Sequence, residues 1–279
     1  MTLITSPDNP TVRAVRKLAR RHGRSGAGRL LVEGPDVVAE AREYLEQVLI
    51  SERAGEAAER TATDLAAGGV DVRYVDAGVF ESVADTVTPR GIVGMARLPE
   101  PDLPTVLEDA RLALLCCGLA DPGNLGTVLR TADAAGADAV IVGAGSVDPA
   151  NPKAVRASAG SLFHLPVVDD VEPARALVAA RRAGLRPVGA DASASTPHTD
   201  ADLAAPTLLV LGGEAAGLPA EVAHGCAELV RIPMLATPRP GYRGVAESLN
   251  LAATAAVLAF EAARQRAPRT ASPGAPESV

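Results

Sequence analysis

The stretch 112-LALLCCGLADPGNLGTVLRTADAAGADAVIV-142 decides the fold class. Its first six residues are apolar without alternation, the pattern of a strand buried on both faces. A turn through Asp121, Pro122 and Gly123 follows, then a helical pattern over 124–135 and a second apolar strand at 139–143. Strand, helix and strand in so short a span announce a parallel sheet covered by helices.

Beyond this stretch the same rhythm continues. Helices are expected at 151–160, 172–183, 217–224 and 248–264, and strands at 165–168, 186–190, 207–211 and 228–232. Before it, 98-LPEPDLP-104 reads as a linker, because three prolines suit neither a helix nor an interior strand. The first 97 residues have an alternation of their own. Helices are expected at 10–21, 35–45, 54–67 and 77–84, with strands at 29–34, 47–51, 70–75 and 91–97. The expected division is a small α/β domain over 1–97, the linker 98–104, a larger α/β domain over 105–264, and a disordered Pro/Ser/Ala/Arg-rich tail from Gln265.

Charge is divided along the chain. The net charge is −7, yet residues 1–32 carry seven basic side chains against one Asp, a balance of +6 that leaves −13 for the rest. On the first helix Val12, Val15, Leu18 and Ala19 share one face, while Arg13, Arg16, Lys17, Arg20 and Arg21 lie on the other. Such a patch either binds a phosphate backbone or is a solvated helix face. With three Phe, three Tyr and no Trp, the core must be built from Ala, Val and Leu. No apolar run approaches the roughly 20 residues of a membrane span, and no apolar signal segment follows the N-terminal charges, so a cytoplasmic protein is expected. Cys116 and Cys117 are adjacent and Cys226 stands alone, which is neither metal-ligand nor disulfide spacing. Buried thiols are expected. The histidines His22, His164, His198 and His224 read as structural, and no metal is expected.

Three segments carry candidate chemistry. Asn124 either caps the helix after strand 112–117 or serves a site at the strand's carboxyl end. Arg130 lies six residues further on, between apolar neighbours. In 208-LLVLGGEAAGLP-219 a buried strand runs into a turn where Gly212 and Gly213 permit close backbone approach and Glu214 can accept a hydrogen bond. The spacing is not the dinucleotide fingerprint, so a nicotinamide or flavin is disfavoured. In 231-RIPM-234 and 248-SLNLAATAAVLAFE-261, Ser248 is a plausible N-cap and Asn250 falls in the first helical turn, where free N–H groups favour a carboxylate or a phosphate.

In order and wording these three segments resemble the motifs of the SpoU-type (TrmH-like) RNA ribose methyltransferases of the SPOUT class. The resemblance implies a deep trefoil knot in the parallel domain, an N-terminal extension similar to ribosomal protein L30e, and a homodimer. It implies S-adenosylmethionine as cofactor, enclosed by Gly212, Ile232 and Leu249 with Leu211, Gly213 and Met234 alongside. It places Asn124, Arg130, Glu214, Ser248 and Asn250 in the active site, with Arg130 at the reacting ribose. Between the motifs, 151-NPKAVRASAGSLFHLPV-167 also resembles the family, and Lys153 and Arg156, three apart on one helical face, are candidates for phosphate.

Two departures stand out: the link 235-LATPRPGYRGVAE-247 is long, and position 252 holds Ala where the family often has Ser. The link is either a lid bearing Arg239, Tyr242 and Arg243 or an excursion from the site. The expected function is 2′-O-ribose methylation of RNA, ribosomal (23S) in preference to transfer RNA, with antibiotic resistance as one possible role. The alternatives are a transfer-RNA methyltransferase and a catalytically idle RNA-binding factor of the same fold.

Overall fold

The computed structural model describes residues 3–20, 24, 28–213, 217–235, 246 and 248–267. Arg21, His22, Glu214 and the link residues Arg239, Tyr242 and Arg243 therefore lie outside the described residues.

The N-terminal half begins with α1 (Pro10–Leu18), capped by the Asn9 side chain, which accepts from Thr11 N–H. Val12, Val15 and Leu18 are buried as the pattern requires. Then follow β1 (Arg29–Glu33), α2 (Pro35–Glu40), β2 (Leu45–Ser51), α3 (Glu56–Ala67), β3 (Val72–Val75), α4 (Ala77–Glu81) and β4 (Ile92–Arg97). The strands form a four-stranded sheet in the order β1-β4-β2-β3, with β4 antiparallel to both neighbours and β3 parallel to β2. α1 lies over one face, against Leu31, Leu49, Val75 and Val93.

Beyond it come α5 (Leu103–Leu107), β5 (Leu112–Cys117), α6 (Pro122–Ala134), β6 (Ala139–Gly143), α7 (Pro152–Ser158), β7 (Val167–Val171), α8 (Pro173–Arg182), β8 (Arg186–Ala190), β9 (Thr196–Pro197), β10 (Thr207–Gly212), α9 (Ala220–His224), β11 (Glu228–Arg231) and α10 (Leu251–Arg266). The sheet order is β7-β6-β5-β10-β8-β11-β9, and every pairing is parallel. In β5, Leu112, Leu114 and Cys116 face the α6, α7 and α10 side, whereas Ala113, Leu115 and Cys117 face α5, α8 and α9. Period-two alternation between two buried faces explains the unbroken apolar run. The first of these cores continues without a break to Leu30, Val32, Val48 and Ile50 beneath the four-stranded sheet.

Several expectations need correction. Pro104 is helical, at the first turn of α5, where a missing N–H costs nothing; Asp102 caps that helix. The helix expected over 35–45 ends at Glu40 and passes through a 3-10 turn (Arg42–Tyr44) into β2. The helix expected to 160 stops at Ser158, because Ala159 and Gly160 take left-handed conformations with φ of 50° and 101°. Gln265 belongs to α10, not to a tail: it accepts from Leu203 N–H and donates to the Ala201 carbonyl, tying the helix end to the β9–β10 connection. Arg24, counted in the basic patch, is buried, donates to the carbonyls of Leu18 and Ala19, and pairs with Asp148 at 3.0 Å.

Candidate active site

A cleft of about 560 Å³ opens at the carboxyl ends of β8, β10 and β11. Residues 190–192, 211–213, 217–218 and 230–234 wall it, and Ser248, Leu249, Leu251 and Thr254 bring in the first turn of α10. An open parallel sheet binds its ligands at the carboxyl ends of its strands, and the cleft lies at that end, on the β10 side of the point between β5 and β10 where the strand order reverses.

Leu211, Gly212, Gly213, Ile232, Met234 and Leu249 all line the cleft, together with Ser248. Sequence reasoning missed Asp191, Arg231 and Thr254, which line it as well. The signal for Asp191 was present, since it directly follows β8, a strand of the same parallel set. The two glycines are needed for a reason other than ligand approach. A Cβ on Gly212 would stand 2.2 Å from the carbonyl carbon of Gly217, and one on Gly213 would stand 2.5 Å from the Gly118 oxygen. Each lets one loop close on another, and Gly213 thereby holds the second motif against the turn that leads into α6.

The capping residues differ from expectation. Asp121 caps α6, its carboxylate accepting from Asn124 N–H at 3.0 Å. Asn124 therefore sits inside the first turn, half-buried. The Asp121 carboxyl is held below its usual range, chiefly by the hydrogen bond from Lys153 at 2.8 Å and then by the Asn124 amide. At α10 the cap is Asn250, not Ser248: helical dihedrals begin at Leu251, and the Asn250 side chain accepts from Ala253 N–H at 2.8 Å. Both types are good caps, and chain geometry chose the later one. Ser248 is left at the cleft wall.

Asn124, Arg130 and Asn250 are not among the described residues that line the cleft. Arg130 is exposed on α6 and makes no ion pair with a described residue. Arg156 is half-buried and pairs with Asp85 at 2.8 Å and Glu33 at 3.9 Å. The first helix ends at Leu18, short of the expected 21, so Arg20 lies beyond it; Arg13, Lys17 and Arg20 are exposed, and Arg16 donates to the Pro7 carbonyl. Burial pushes the Cys116 and Cys117 thiols up to about 12 and Cys226 to about 11, so none is a nucleophile near neutral pH. Among the described residues no cluster of three His, Cys, Asp or Glu is placed to hold a metal, and no helix is long and apolar enough to cross a membrane.

The segments that build this cleft lie within residues 111–260, which match the SpoU rRNA methylase family as a whole. The chain belongs to the SpoU rRNA methylase family. Residues 9–94 match the MRM3-like substrate-binding domain. Among relatives of this SpoU-family chain, the Bacillus subtilis 23S rRNA (guanosine(2553)-2′-O)-methyltransferase RlmP is 32% identical over 93% of this chain and 98% of its own. The AdoMet-bound rRNA methyltransferase from Sinorhizobium meliloti superposes with a TM-score of 0.82 at 29% identity, covering 96% of this chain and 99% of that one. The SpoU methyltransferase AviRb from Streptomyces viridochromogenes, in complex with AdoMet, gives a TM-score of 0.78 at 30% identity, covering 92% and 99%.

Proposed function

We propose that this protein transfers a methyl group from S-adenosylmethionine to a ribose 2′-hydroxyl of 23S ribosomal RNA. The observation that carries the reading is the cleft itself: residues of the second and third motifs, more than a dozen positions apart in sequence, meet at the strand ends and open on the N-terminus of α10. Its volume suits a nucleoside-sized ligand. Backbone at Leu211, Gly212, Gly213, Ile232, Met234 and Leu249 would enclose the adenosyl group, and the α10 N-terminus favours the methionine carboxylate. When bound, the cofactor supplies an electrophilic sulfonium methyl. The chain's own task is to align the ribose oxygen and stabilise its developing charge.

Arg130, exposed and without an ion pair to a described residue, would hold the adjacent phosphate and stabilise the alkoxide. A guanidinium, with an ordinary pKa above about 12, is a poor proton acceptor. Ser248, Glu214 and Asn124 complete the polar set. Asn250 uses its side-chain oxygen as the α10 cap, which leaves its amide NH₂ to donate. The N-terminal unit, residues 1–97, would present RNA through α1, with residues from 98 to the α5 helix as connector and the rest of the chain to Arg266 as the catalytic unit. The same reading includes a trefoil knot, carried by membership of the family, and a homodimer, supported by the exposed Phe260 on α10.

The test is methyl transfer from labelled S-adenosylmethionine to RNA from a matched null strain, with ribosomal and transfer fractions separated. Label in 23S RNA that resists alkaline cleavage is the expected result. Label in transfer RNA would replace the target, and no label with RNA affinity retained would make the protein an idle binding factor.

A further inference from the structure

The segment between the first two motifs, from Arg156 to His164, has no contact with the cleft. It faces the four-stranded sheet instead. The His164 imidazole stands between two carboxylates from different halves of the molecule, with Nδ1 2.8 Å from Asp133 of α6 and Nε2 3.0 Å from Glu40 of α2. Gly160 packs on the stem of the same Glu40, where an added Cβ would come within 2.6 Å of Cγ. Phe163 meets Tyr44 with ring centroids 5.3 Å apart. Two further ion pairs flank this seam: Arg156 with Asp85, and the buried Arg24 with Asp148. A neutral imidazole has one N–H and can donate to only one of two acceptors, so satisfying both carboxylates requires the imidazolium.

We propose that His164 is a positioning residue: by bridging Glu40 and Asp133 it fastens the N-terminal sheet to the helix that carries Arg130, so that RNA held by one half arrives in register at the other. This rests on the reading of the N-terminal half as the RNA-presenting unit. The charged groups acting on the ring are Asp133 and Glu40, and their hydrogen bonds, Asp133 first, outweigh desolvation and raise its pKa. The sign follows. A raised pKa means the bridge is complete below the ordinary histidine value and loosens as pH rises through the raised one. One carboxylate then faces a lone pair, and the seam is held by its remaining contacts.

The experiment uses the full chain. KM for ribosomal RNA, kcat at saturating RNA, and S-adenosylmethionine affinity are measured from acid to alkaline pH for the wild type, His164→Ala and Glu40→Gln. KM for RNA should rise with pH in the wild type. In His164→Ala it should be raised about two- to fivefold at the acid end, as expected for a partly exposed charge pair, and show no further pH dependence. Both kcat and cofactor affinity should be retained. Glu40→Gln, altered on the far side of the seam, should reproduce the KM increase, and proton NMR should show His164 titrating above about 6.5. Superposable KM profiles for wild type and His164→Ala would overturn the proposal. So would a fall in kcat at unchanged KM, because Asp133 lies one helical turn from Arg130 and His164 would then act on that arginine instead of the seam. A wild type that methylates no RNA would count against the methyltransferase reading alone, and filter-binding affinity for ribosomal RNA would then carry the same pH comparison.

Discussion

At the carboxyl ends of β8, β10 and β11 the walls of the cleft are set by main chain: Gly212 and Gly213 are compressed against Gly217 and Gly118, and the α10 N-terminus opens between them. On α1 the reverse holds. Arg13 and Lys17 project from a short helix whose apolar face alone is buried, Arg20 follows just beyond its end, and no backbone geometry depends on them. Under the proposed function the contrast separates two modes of recognition. A small ligand of fixed shape needs walls placed to a fraction of an ångström, whereas a phosphate backbone needs only charge within reach.

The main-chain wall of the cleft is most vulnerable at Gly212. Gly212→Ala should cost on the order of 3 kcal/mol or more, because the methyl group has no space against the 217–218 backbone. Thermal melting with and without S-adenosylmethionine checks it, and near-native stability would mean that the cleft wall yields. Arg130→Lys should lower kcat by about 100-fold while leaving cofactor affinity unchanged, since a compact ammonium cannot reproduce the planar guanidinium fork. Near-normal turnover would remove Arg130 from its proposed role. At Asn250 the two functions of one residue can be separated. Asn250→Ala should lose about 1 kcal/mol of stability with the cap, whereas Asn250→Asp keeps the cap; turnover reduced in both would assign the amide to the reaction. On the charge-defined side, replacing Arg13, Arg16, Lys17 and Arg20 by Gln should flatten the plot of log affinity against log salt by about 0.7–0.9 for each phosphate that is no longer neutralised. Cofactor affinity should not change. The smallest effect is expected from alkylation near pH 8: with thiols pushed up to about 11–12 by burial, activity should fall by less than about twofold.

Much of the candidate cleft was legible because its parts are local. The run over 112–117, the turn after β10 and the start of α10 each announce themselves within a few residues, and six positions assigned to the cofactor do line one cleft. What escaped depended on competition between equivalent neighbours. Asp121 and Asn124 are both good caps, as are Ser248 and Asn250, and which one is used follows from where helical dihedrals begin. Lys153 and Arg156 were legible as cations on one face. Their partners Asp121 and Asp85 lie 32 and 71 residues away, so no local pattern could reveal that both are paired.

Contiguous residues were enough for the strand and helix rhythm, the buried parallel strands, the basic face of α1 and the family, because hydrophobic period and short motifs are local properties. Packing in three dimensions was needed to reveal that Gly212 and Gly213 serve loop-to-loop closure, that Asp191 and Arg231 join the cleft, and that His164 bridges two carboxylates 31 and 124 positions distant in the chain. Those are contacts between groups that meet only after the sheets have packed, and their energies depend on separations in space that linear order does not encode.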